Sequence, residues 1–257
     1  MGEHGTWFDY LNRFSWWQDA NRTMEHALHR TTLTKMFPTG WTTAHVFVAF
    51  LVLIIVTMGA IAFYRGTKTA DKGIVPPRKM NLRNSFEYLA ESIYGMVEGS
   101  LGTKNAAKFF PLIGALWLFI FFGNLFALIP GFVSSNDTLK TNVGIALLVF
   151  FATHYLGVRE HGISYFKHFF GPIWWLSWLL FPIELISHIA RPVSLSLRLM
   201  GNMLADHKVV MSFFALVPIL VPLPFLLLGL LVCLIQALVF TSLAMVYIGM
   251  AIEHEEH

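Results

Sequence analysis

The chain has 257 residues, of which 56% are apolar and 13% charged, with 18 Lys and Arg against 15 Asp and Glu. A soluble domain carries about 25% charged residues, so this composition, with a mean hydropathy of +0.60, excludes a water-soluble enzyme and points to a multi-span membrane protein. The net charge of +3 sits in short basic runs between apolar segments, where it orients a membrane chain and lacks the clustered footprint of a nucleic-acid binder.

Cys233 is the single cysteine. It has no partner for an internal disulfide or a thiolate metal cage, and its apolar neighbours make it a small hydrophobe. The first 40 residues show no basic n-region followed by an apolar h-region, so no cleavable signal peptide is expected.

Residues 1–41 form an N-terminal interfacial segment in which Trp7, Trp16, Trp17 and Trp41 suit the membrane–water boundary. The membrane domain follows over 42–257. The uncharged run 46–64 is long enough to span and predicts a helix over about 42–64. Next, 65–108 carries Arg65, Lys68, Lys72, Arg78, Lys79, Arg83, Lys104 and Lys108. Within it, Phe86, Leu89, Ile93, Met96 and Val97 recur near helical spacing against Glu87, Glu91 and Glu98. That pattern predicts an amphipathic surface helix over about 84–101, lying on the membrane or packed on protein.

The uncharged run 109–130 and the run 142–158, whose one titratable group is His154, predict a helical hairpin with helices over about 106–130 and 141–158. Beyond it, 171–208 mixes Trp and Leu with Glu184, His188, Arg191, Arg198 and Asp206, and 209–252 contains no Asp, Glu, Lys, Arg or His. The latter stretch would reach roughly 66 Å as one helix, too far for one crossing. Pro218, Pro222 and Pro224 supply the break. Two long, tilted helices result, over about 173–216 and 225–250. The fold class is therefore an all-α integral membrane protein with about five membrane helices.

Basic residues set the orientation. The 65–108 stretch is cytoplasmic, the 131–141 loop with Lys140 alone is external, and Arg159 with Lys167 returns inside. The N-terminus is then outside, and the tail with Glu253, Glu255 and Glu256 is cytoplasmic.

The polar groups of the fourth membrane helix are the informative feature. At about 100° per residue, with Glu184 at 0°, His188 falls at about 40°, Arg191 at −20°, Arg198 at −40°, Asn202 at 0° and Asp206 at 40°. All six share a sector of about 80°. Each central charge costs about 2.5–3.5 kcal/mol on insertion scales, so something must face this stripe. Glu184, His188 and Arg191 are close enough along the helix to pair with one another, or to snorkel. Arg198 lies about 21 Å from Glu184 and about 12 Å from Asp206, without an intrahelical partner, and needs an aqueous cavity or an external carboxylate. A guanidinium never releases its proton at working pH, so it can hold a passing carboxylate ionised without conducting protons. A fixed positive charge with polar groups leading to each face is what two separated half-channels require. Gln236, the lone strong polar group of the last helix after the prolines, and Asn124 in 109–130 are either interhelical glue or parts of the same machinery.

Two rivals compete on the residues alone. His154 and His188, on different helices, form a possible haem-ligating pair of a redox subunit. A secondary transporter would show a half-to-half repeat, and none is present. No glycine-rich phosphate loop ending in Lys-Ser/Thr occurs, so nucleotide chemistry is expected on other chains.

The run Arg191-Pro-Val-Ser-Leu-Ser-Leu-Arg-Leu-Met-Gly-Asn-Met-Leu-Ala resembles the signature of subunit a of the rotary F-type ATP synthase, bacterial type. Phe122-Gly-Asn-Leu-Phe-Ala-Leu-Ile-Pro-Gly, Leu234-Ile-Gln-Ala-Leu-Val-Phe and the ending from Tyr247 are similar to family segments in the same order, from about residue 80 onward. The resemblance implies an ion-translocating stator subunit of the Fo sector in the bacterial inner membrane, itself not catalytic and without a cofactor. Its implied partners are the c-ring, the b subunits of the peripheral stalk and, indirectly, the F1 sector, besides the lipid bilayer. It implies that Arg198 is the essential arginine, Asn202 the amide one turn later, and Gln236 the glutamine facing that arginine. Glu184 is then a polar position on the cytoplasmic side, and Asp206 with His207 leads toward the outer half-channel. Many relatives carry a titratable group at the position of Gly229, so that part of the channel is lined differently here, with Asp206 and His207 as candidates. His207, at about 140°, lies off the stripe, which makes Asp206 the better aimed relay.

Overall fold

The computed structural model describes residues 11, 14–29, 43–67, 82–129, 132, 134–136, 138–162, 177–216 and 222–252. Among the described residues seven α-helices run in chain order: α1 Ser15–His29, α2 Thr43–Thr67, α3 Leu82–Leu101, α4 Thr103–Leu125, α5 Leu139–His161, α6 Ser177–Leu216 and α7 Pro222–Ile252, with a 3₁₀ turn Phe126–Leu128 extending α4. No strand occurs among the described residues. Trp7, Trp41, Pro218, the basic residues of 68–81, Lys167 and the acidic tail lie outside the described residues.

Three stretches, Thr103–Leu128, Leu139–His161 and Leu223–Ile252, are long and apolar enough to cross a membrane, and α2 adds the shorter apolar stretch His45–Ile61. At about 1.5 Å per residue α6 extends roughly 60 Å, about twice a bilayer core; its charged groups interrupt the apolar run. The outer surface is inverted relative to a soluble protein. Phe50, Met58, Phe151, Tyr155, Trp178, Ile186 and Leu227 are all exposed, which suits lipid and not water.

The core forms where α7 packs against α4, α5, α6 and α3. Phe240, Met245 and Ile248 of α7 meet Phe109, Ile113, Trp117 and Ile120 of α4, Val149 of α5, and Leu195 and Leu199 of α6. Small residues at Ala237, Thr241 and Ala244 of α7 are fully buried and let neighbouring backbones approach. The Thr241 hydroxyl donates to the Ala237 carbonyl at 2.7 Å, so its burial leaves no orphan. α3 enters the same core through Ile93, Val97 and Leu101, so its apolar face packs on protein while Tyr88 faces outward. Gly102 joins α3 to α4 at φ +78°, a backbone region that glycine enters without strain. A second, smaller core sets Trp17 of α1 against Val48 and Val52 of α2.

The α4–α5 connection folds back as a polar plug. The Ser134 hydroxyl donates to the Gly123 carbonyl at 3.0 Å, and the Asn136 amide donates to Asn124 Oδ1 at 2.8 Å. Asn142 Nδ2 in turn donates to the Asn136 carbonyl at 2.8 Å. All of these side chains are buried. Non-helical backbone at membrane depth survives only where protein or a cavity satisfies it, and this bonding does so. A Cβ on Gly123 would stand 2.6 Å from Ser135 Oγ and 2.8 Å from Asn136 Nδ2. We therefore expect Gly123→Ala to cost about 1–3 kcal/mol through overpacking. Gly99→Ala, where a Cβ meets nothing within 4 Å, should be neutral or stabilising by up to about 1 kcal/mol. Thermal unfolding of the detergent-solubilised protein measures both.

Candidate functional site

α6 and α7 run antiparallel in a fixed register. The Arg191 guanidinium lies over the Tyr247 ring at 4.9 Å, and Asn202 Nδ2 donates to Gln236 Oε1 at 2.8 Å. The same eleven-residue step separates the two partners on each helix. Continuing it brings Asp206 level with the turn of α7 that holds Cys233. The polar row of α6 thus lies along the edge of its contact with α7.

That contact is built by residues one turn apart. Leu195, Leu199 and Met203 are buried and direct α6 inward, while Ser196, also buried, turns its hydroxyl back to the Val193 carbonyl at 2.9 Å. Level with Arg198, α7 presents the buried Phe240, which offers no hydrogen-bond acceptor. Arg198 therefore points away from the bundle and is exposed. No ion pair or hydrogen bond of its side chain is formed among the described residues. Around it, Ser194, Leu197, Gly201 and Ala205 are exposed as well, a low-relief strip on which a further helix has room to lie.

At the other end of the row, Glu184 Oε1 lies 3.3 Å from His188 Nδ1, realising the pairing along the helix that the spacing allows. Arg191 does not join this pair and stacks on Tyr247 instead. The His188 and His154 rings stand 5.4 Å apart between centroids, nearly perpendicular. They border a cavity of about 20 Å³, enough for one water molecule and far too small for a porphyrin between the two rings.

Asn124 falls outside this arrangement, since its partner is Asn136 in the α4–α5 plug. Gln236 is 5% exposed and bonded to Asn202, so the structure joins these two sequence candidates directly. The position of Gly229 is filled by the side chain of Leu128, which a Cβ there would meet. His207 belongs to α6, but its side chain lies outside the described residues. Sequence reasoning missed Ser134, Asn136 and Asn142 as a bonded group; the density of Ser, Asn and Thr in 134–142 was the available signal. It also missed Tyr247 as the platform under Arg191.

Residues 45–249 match the family described as ATP synthase A chain. The chain belongs to that family. A relative from Syntrophotalea carbinolica, ATP synthase subunit a 1, is 44% identical over 90% of this chain and 94% of its own length. ATP synthase subunit a of Trichlorobacter lovleyi is 41% identical over 92% of this chain and 95% of its own. The same-named protein of Geobacter sulfurreducens reaches 49% over 67% of this chain and 75% of its own length. Family membership covers α2 through most of α7, the part that builds the polar row.

The Asn202–Gln236 bond carries a measurable consequence. In a double-mutant cycle of Asn202→Leu and Gln236→Leu, the coupling is expected at about 0.6–1.7 kcal/mol, read from thermal unfolding of the solubilised protein. Additive effects would show that the two amides act independently.

Proposed function

We propose that this chain is the ion-translocating stator subunit of the Fo sector of a bacterial ATP synthase, forming two offset half-channels against a c-ring. The observation that carries the reading is Arg198: a permanently charged group, exposed at the middle of a helix of an apolar bundle, with its inward side closed by Phe240. A charge in that place faces protein or water and not lipid. A carboxylate of subunit c passing Arg198 is held ionised by it, because the guanidinium keeps its proton at any working pH. The same property stops protons from crossing at that point. Rotation then carries each carboxylate from one half-channel to the other.

On this reading Asn202 and Gln236 hold the helix pair in register beside Arg198, and Asp206 with His207 lines the outer half-channel. Glu184 and His188 line the cytoplasmic one. Arg191 and Asn124 are supporting groups. Leu128 against Gly229 closes the place where relatives carry a titratable side chain, which leaves Asp206 as the outer relay. The partners are the c-ring, the peripheral-stalk b subunits and, through them, F1. The N-terminus lies outside the inner membrane and the C-terminus in the cytoplasm. The chain performs no nucleotide chemistry itself.

ATP-driven acidification of inverted vesicles tests this. Arg198→Ala is expected to abolish pumping while the chain remains in the membrane. Arg191→Ala loses a cation–π contact worth about 0.5–1 kcal/mol and should lower the rate by less than about fivefold. Undiminished pumping by Arg198→Ala would overturn the assignment.

A further inference from the structure

We propose that the paired ends of α4 and α5 hold an anionic phospholipid, with its phosphate between Lys104 and Arg159 and its acyl chains along the outer face of α5. Only the choice of leaflet, the cytoplasmic one, rests on the orientation proposed above. The site itself stands on the α4–α5 hairpin.

Lys108 Nζ pairs with Glu160, which fixes the start of α4 beside the end of α5. Lys104 lies one turn before Lys108, about 6 Å along α4, and Arg159 adjoins Glu160 on α5. Both are exposed, and neither forms an ion pair or hydrogen bond among the described residues. Glu160 is answered by Lys108, so this corner keeps two cations in excess of that pair, one on each helix. Glu98, near the end of α3, is the other acid on the segments that meet there. A phosphodiester carries one negative charge on oxygens that accept from several donors, and a guanidinium matches it with two parallel N–H bonds.

Inward from Arg159 the same helix provides for the tails. With Leu148 at 0°, Phe151 falls at about −60°, Tyr155 at about −20° and Arg159 at about 20°, so the four share a sector of about 80°. Phe151 is 64% and Tyr155 66% exposed, and Leu147, Leu148 and Val158 beside them are exposed too. From Leu148 to Arg159 is about 16 Å along the axis, close to one leaflet of a hydrocarbon core about 30 Å thick. The row therefore reaches from the guanidinium to about the bilayer midplane. Tyr155 stands one turn inside the headgroup level, a depth that tyrosine favours.

The kind of side chain decides between a lipid and a helix of another protein as the occupant. Helices meet in membranes over small residues that let backbones approach, as on the α6 strip with Ser194, Gly201 and Ala205. The α5 face between Leu147 and Arg159 carries large exposed side chains instead, and flexible acyl chains fill the gaps between such groups. Positive charge at one end and bulky apolar groups along the rest match the two parts of one amphiphile. A soluble anion would use only the first.

The test uses inverted vesicles carrying the complete complex, cytoplasmic face outward. A phosphatidylglycerol analogue with a photoreactive group on one acyl chain is added from outside and irradiated, and the labelled peptides of this chain are identified by mass spectrometry. Labelling is expected within 147–158, about fivefold or more above that given by the phosphatidylcholine analogue, and about tenfold lower in the double variant Lys104→Gln, Arg159→Gln. Arg159→Lys, which keeps the charge, should retain most of it. Lys208→Gln, at an exposed lysine of α6, should leave it unchanged. Equal labelling by the phosphatidylcholine analogue, or labelling that survives the double substitution, would overturn the site. So would displacement of the analogue by inorganic phosphate, the mark of a free-anion site, or coupling of a photoreactive amino acid in place of Phe151 to another subunit and not to lipid. Arg198→Ala vesicles should label as wild type whether or not they pump, so the site and the ion path fail separately. Labelling obtained only with the analogue in the inner leaflet of these vesicles would support the site and overturn the orientation.

Discussion

In a hydrocarbon layer a polar group has no water to fall back on, and every part of this structure is organised by that constraint. Backbone groups are settled by making helices. Side-chain polarity is the remaining cost, and two places where it is met between segments are the α4–α5 plug and the Asn202–Gln236 contact. In both, a donor on one segment meets an acceptor on another. The hydrogen bonds therefore select which helices meet and in what register, while apolar packing, which is as favourable against lipid as against a neighbouring Leu, does not.

The α6–α7 pair shows how this works. Arg191 over Tyr247 and Asn202 against Gln236 lie one equal step apart on each helix, so sliding either helix by a turn breaks both contacts at once. That lock is what places Phe240 level with Arg198 and turns the guanidinium outward. The exposed charge is thus a consequence of satisfied neighbours. The proposed function uses this: Arg198 is left for a partner's carboxylate because the groups beside it are already occupied.

The same economy governs the α4–α5 plug. Asn124 accepts from Asn136, whose carbonyl accepts from Asn142, and these bonds tie the α4–α5 connection to α4 and α5. His154 and His188 each set Nδ1 against a carbonyl of their own helix.

The family was legible from the run beginning at Arg191 and its collinear companions, and the sequence by itself also determined the helical class, the long polar-striped helix and the groups that share its stripe. These rest on local quantities: hydrophobic run length sets spans, and a period of about 3.6 residues sets which groups share a face. Pro218, Pro222 and Pro224 mark the break before the last helix. α7 begins at Pro222, where a first-turn proline lacks only an N–H that no helix would have used. Only the tertiary structure decided that Gln236 bonds Asn202, that Arg191 leaves Glu184 for Tyr247, that Leu128 occupies the space at Gly229, and that His154 stands beside His188. Each of those depends on the relative placement of two helices. In a membrane that placement follows from a few specific bonds between distant residues, and the periodicity of either segment alone does not encode them.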